Sequence, residues 1–228
     1  MRNSQLLNNF NSKFIIFSTI FCVFLSFIFN DFYLNILAFS GILTFGIIHG
    51  ANDLLLIKAV SEKFNFKTQL LFYIIMVGVF FIFFYNIPVL ALITFVLLSS
   101  YHFGEHQWTL FLKTEDYLIK PFYFFYGLTI FSLIFYFNLN EVLVIIYDIT
   151  TLELNEDFFF YLLIISSMLS LLMSFSLYEK IKNQFITQLA LLALLIITFK
   201  TCGLIWSFGI YFVFWHSIPS IKEQTIFI

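Results

Sequence analysis

Eight long apolar runs take up most of this 228-residue chain, at 14–30, 32–57, 69–85, 88–104, 119–137, 157–177, 184–199 and 202–221. A helix needs roughly 20 apolar residues to cross a bilayer. Hydrocarbon admits only structures whose backbone polar groups are bonded internally. The runs therefore predict an all-α fold, a polytopic transmembrane helix bundle of about eight spans. The fourth run is short and opens at Pro88, a residue suited to a first helical turn, where its missing N–H costs nothing. The stretch 141–150 is too short to cross and is expected to lie at the interface. Composition supports this class, because only 11% of residues are charged, against about a quarter in soluble domains.

The first run follows Arg2 and Lys13, as a signal peptide would, but no small-residue cleavage site follows it. Asn30-Asp31 leads straight into the second run, so an uncleaved first span is expected. No internal repeat, Pro/Ser linker or low-complexity tail interrupts the chain, and 1–228 reads as one integral-membrane helical domain. Cys22 and Cys202 lie in or beside apolar segments without CxxC or metal spacing, and read as small core residues. A net charge of −2 leaves no basic surface for nucleic acid.

Sidedness follows from the loop charges. With eight spans and both termini on one side, that side receives Arg2, Lys13, Lys58, Lys63, Lys67, Lys113, Lys120, Lys180, Lys182 and Lys222, and the other only Lys200. The positive-inside rule then predicts a multi-pass protein of the cell inner (plasma) membrane with both termini cytoplasmic. The loop 138–156 carries acids and no bases, as an outer face should.

Three of the four histidines fall near the inner ends of even-numbered spans: His49 in GIIHGAND, His102 in SSYHFGEHQW and His216 in YFVFWHSIPS. At about 1.5 Å per residue, His49 lies roughly 12 Å, and His102 and His216 roughly 9 Å, from those ends. Imidazoles in hydrocarbon are expensive and need a partner or a task. Three at one depth on one side describe a metal site, and neutral imidazoles suit iron, copper, nickel or zinc while leaving positions open for water, oxygen or substrate.

The neighbours add candidates. Residues four apart share a helix face, which pairs His49 with Asp53, His102 with His106, and His216 with Ser220. Asp53 reads either as a carboxylate holding a histidine's second nitrogen or as an interfacial partner of Lys58. His102 is expected to be the more buried of its pair, with His106 and Glu105 facing cytoplasmic water. Gly46 and Gly50 bracket His49 in a GxxxG spacing, which lets a neighbouring helix approach closely. Trp108 and Trp215 read as interfacial or packing aromatics.

Several enzyme classes are excluded for want of their motifs: there is no HExxH, no Gly-rich phosphate loop, and no GxSxG around Ser99, Ser100 or Ser217. Four histidines are too few for a di-iron desaturase. A retinal-binding photoreceptor needs a lysine within a span, and Lys200 lies between two of them. A small transporter or proton-relay protein using intramembrane His and Asp remains the rival class.

The HGAND segment, the SxYHFGE segment and the late YFxxWHS segment, in that order, resemble the bacterial membrane β-carotene-cleaving dioxygenases known as the Brp/Blh family. The resemblance covers most of the chain. It implies cleavage of β-carotene by O2 at the central double bond to give two retinal molecules, with Fe(II) as cofactor and His49, His102 and His216 as its ligands. It also implies a further histidine where this chain has Ser220, with His106 or Asp53 as substitutes, and further membrane segments beyond Ile228.

Overall fold

The structure is a computed structural model. It describes the backbone of residues 2–60, 66–109 and 116–227, and side chains within 12–50, 67–108 (Gln69 excepted) and 116–223. The described residues are helical almost throughout: α1 (Arg2–Ser26), α2 (Asp31–Val60), α3 (Phe66–Asn86), α4 (Pro88–Thr109), α5 (Ile119–Phe137), α6 (Leu139–Thr150), α7 (Glu156–Ser176), α8 (Tyr178–Thr201) and α9 (Leu204–Ile210). A π-helical segment (Tyr211–Ser217) and α10 (Ile218–Phe227) continue α9 as one rod.

Six of the described helical stretches are long and apolar enough to cross a membrane: 31–50, 88–108, 119–137, 156–176, 178–201 and 204–223. The shorter apolar stretches Ser12–Ser26 and Leu70–Asn86 supply the other two of the eight runs. α6 is the short helix between α5 and α7. α8 begins at Tyr178, ahead of its apolar run, because Leu177 alone separates it from α7. Lys180 and Lys182 therefore ride on the first turns of α8.

Local chemistry explains the ends. Pro88 opens α4. The Asn155 side chain accepts from the Asp157 N–H at 3.0 Å, and Glu156 and Asp157 in the first turn of α7 complement its dipole. Glu141 on α6 accepts from the Leu204 N–H at 3.2 Å and so caps α9 from a neighbouring element. Within the spans, hydroxyls fold back on carbonyls four residues earlier, as Ser132 does to Leu128 (2.7 Å) and Thr198 to Leu194 (2.8 Å). A polar atom in hydrocarbon is satisfied there without a partner helix.

The core forms around α5 and the last rod, the two elements with mostly buried side chains. α5 packs between α4 and α7. Its contact with α4 is backbone on backbone: a Cβ on Gly104 would lie 1.9 Å from the Tyr123 carbonyl oxygen, and one on Gly127 1.8 Å from that of Ser100. A second close crossing joins α2 to α9, where a Cβ on Gly209 would lie 2.8 Å from that of Ala38. α1 is fastened to the same rod by two indole N–H groups, Trp206 donating to the Cys22 carbonyl (3.2 Å) and Trp215 to Thr19 Oγ1 (2.9 Å).

Candidate metal centre

These crossings fix how three elements face one another. The Ser100/Gly104 face of α4 is pinned against α5. At 3.6 residues per turn, His102 must then point roughly the opposite way, toward α2 and the π-helical segment. A cavity of about 410 Å³ lies on the pinned side and is lined by Val89, Ile93 and Val96 of α4. Those residues lie roughly 120–180° around the helix from His102, so that cavity is separate from the histidines.

The third element owes its shape to Pro219. A proline inside a helix removes one N–H and crowds the preceding turn, and the turn here widens: the Ile218 N–H reaches back five residues to Val213. Widened turns of this kind recur at functional sites. This one carries His216, which is 2% exposed.

The structure brings His49, His102 and His216 together, although 53 and 114 residues separate them in order along the chain. His102 Nε2 and His216 Nε2 lie 3.1 Å apart. Ring centroids are 4.7 Å apart for His102–His216, 5.1 Å for His49–His216 and 6.3 Å for His49–His102. One nitrogen from each ring lies within 4.8 Å of the others. Two imidazole–metal bonds of roughly 2.1 Å can bridge up to about 4.2 Å. The closest pair fits that span as it stands, and the widest needs a closure of about half an ångström, within reach of small side-chain rotations. The residues present therefore fit a single ion held by three imidazoles.

Around the rings the walls are aromatic. Phe103 packs on His216 at 4.6 Å and stacks on Phe131 at 5.6 Å, while Phe212 lies 6.0 Å from His216. Gly46 serves this packing, since a Cβ there would touch the Phe212 ring at 3.5 Å. Gly50 faces a different element, the Tyr73 hydroxyl of α3 at 3.0 Å. The GxxxG pair thus admits two side chains rather than one neighbouring backbone.

The order of burial on α4 is the reverse of the expectation. His102 is exposed, and the His106 side chain is only 14% exposed. Both rings lie on one face of α4, and they differ in what covers them: His106 packs against His216, at 4.8 Å between centroids, with Glu223 of α10 beside it, whereas His102 opens to the gap on the α2 side. Glu105 is occupied on its own helix, where the Tyr101 hydroxyl donates to it at 2.9 Å. Ser220 is buried in α10. The side chain of Asp53 lies outside the described residues. Trp108 and Trp215 are both buried packing residues. One residue the sequence reading passed over is Glu223, whose carboxylate lies beside His106. Its place seven residues after His216, two turns along the same face, was the available signal.

The sequence model of one protein family, described as beta-carotene 15,15'-dioxygenase, matches residues 40–227, which include all four histidines. No curated protein and no solved structure matched the chain.

Proposed function

The chain belongs to the beta-carotene 15,15'-dioxygenase family, a family of carotenoid-cleaving enzymes, and from that premise we propose that it cleaves β-carotene with O2 at the central double bond to give two molecules of retinal. The observation that carries the reading is the convergence of His49, His102 and His216 from three separate helical elements. In this proposal the three imidazoles hold one non-haem Fe(II), with His106, packed against His216, as the source of a fourth. Bound there, iron would supply the activation of O2 for addition to the alkene.

The chain's own residues do the rest. β-Carotene is a long, uncharged polyene that dissolves in the bilayer, so its route to the site is sideways through lipid. The exposed edge of His102 marks where the centre meets that medium. Phe103 and Phe212 form a wall that keeps water from the reacting carbons, and alignment of the alkene beside the ion supplies much of the acceleration. The reaction moves no proton from protein to substrate, so it needs no acid–base step from the groups beside the centre. In the membrane both termini face the cytoplasm, which places the centre in the inner half of the bilayer.

The test is expression in cells that accumulate β-carotene, with retinal measured by chromatography. His49→Ala, His102→Ala and His216→Ala should each abolish retinal while the protein still inserts. Retinal formed at the parental level by all three would remove the reading. A proton-relay protein is the rival that the 3.1 Å His102–His216 contact favours; it would purify without iron and leave the carotene intact.

A further inference from the structure

A fourth imidazole and a carboxylate stand beside the three-histidine cluster with their bonds unmade. His106 Nε2 and Glu223 Oε2 lie 3.9 Å apart. His106 Nε2 and Glu223 Oε1 are both buried without a hydrogen-bond partner. Buried polar atoms in that condition carry a full desolvation cost, so the pair gains by closing on itself. The gap of under about 1 Å to hydrogen-bond distance is one that a rotation of either side chain covers. Among the described residues beside His106, the other carboxylate, Glu105 of α4, is already bonded to Tyr101, which leaves Glu223 of α10 to serve His106.

The rings set the direction of the consequence. His106 packs edge-on to His216, at 4.8 Å and 74°, one helical turn beyond His102 on the same face of α4. If Nε2 carries a proton to Glu223, the lone pair of the ring is on Nδ1, on the opposite edge. Carboxylate–histidine pairs orient metal ligands in this way and raise their basicity. We propose that Glu223 is a positioning residue of the centre: it accepts a hydrogen bond from His106 Nε2–H and turns Nδ1 of that ring toward the ion, making His106 the fourth ligand. The inference rests on the three-histidine iron reading, and deepens it by assigning the carboxylate that organises the fourth position.

The test uses the purified full chain loaded with Fe(II), with affinity read by competition against a chelator and geometry by the electron paramagnetic resonance spectrum of the nitric oxide adduct. Glu223→Gln keeps the size of the side chain but turns an NH2 donor or a weaker acceptor toward His106. Glu223→Gln and His106→Ala should each weaken Fe(II) by about 10–100-fold, with similar spectral change. The double variant should be no weaker than His106→Ala alone, and Glu223→Asp should recover part of the loss. Size-exclusion profiles like the parent's show that the variants are folded. Parental affinity and spectrum in Glu223→Gln would overturn the proposal, as would a Glu223→Gln defect that adds in full to that of His106→Ala. His216→Ala separates the two levels. If it keeps iron, the three-histidine reading fails. If it loses iron while Glu223→Gln and His106→Ala behave as the parent, only the role of Glu223 falls.

Discussion

His216 is the residue on which the centre turns, because among the described residues it alone touches His49, His102, His106 and the aromatic wall. Its replacement removes a donor, so His216→Ala should weaken Fe(II) by more than the roughly 10–100-fold that losing a carboxylate partner costs; chelator competition reads it. The adjacent Trp215 holds the same backbone from the other side through its bond to Thr19. Trp215→Phe keeps the buried ring system largely filled but leaves Thr19 Oγ1 without that donor. It should cost about 1 kcal/mol of stability, seen as a lower unfolding midpoint in detergent, with iron content unchanged. A simultaneous loss of iron would mean that the indole positions the ligand as well as the helix.

At the scale of elements, the centre depends on two pieces of helix geometry. Pro219→Ala restores an N–H and removes the ring that crowds the turn, a feature that costs roughly 3 kcal/mol in a helix interior. The expected result is a protein at least as stable as the parent but with weakened Fe(II) binding, because relaxation of the wide turn to an α-helix rotates His216. Unchanged affinity would show that the wide turn is incidental to the site. The α4–α5 crossing is stricter. A methyl on Gly127 would meet the Ser100 carbonyl oxygen at 1.8 Å, and a backbone atom cannot swing aside. Gly127→Ala should therefore destabilise by about 1–3 kcal/mol or more, and turn α4 so that both of its histidines are misplaced. In the segment ahead of α5, Asp116 meets the Lys180 ammonium from the first turn of α8, which, with the Leu118 N–H behind it, holds the Asp116 carboxyl below its ordinary range. The stabilisation from that pair is present above the ordinary carboxylate range and fades as pH falls through the lowered value. Being exposed, the pair contributes little, and Asp116→Asn should leave the unfolding midpoint at neutral pH nearly unchanged.

For the whole molecule, much was legible in the chain. The apolar runs located the spanning helices because in hydrocarbon the backbone has no other way to satisfy itself. The three histidines could be grouped because the loop charges of an eight-span chain assign them a common side, and helix rise a common depth. What could not be read was rotation. Which way the shared His102/His106 face of α4 points depends on Gly104 meeting Gly127, a contact between residues on two helices whose pairing leaves no local signal. The wide turn at 211–217 and the approach of Glu223 to His106 are likewise products of tertiary packing, with Pro219 the sole local hint of the first. The topology makes its own prediction. Cys22 and Cys202 are both buried, so the native thiols give little background, and Lys200→Cys should react from outside intact cells with a membrane-impermeant maleimide while Lys182→Cys should not. Labelling of Lys182→Cys alone would invert the protein in the membrane. The most direct test of the central claim is the iron content of the purified chain beside that of His49→Ala, His102→Ala and His216→Ala. The account predicts about one iron per parental chain and little in any variant, since three imidazoles share one ion; iron retained in full by the variants would contradict it.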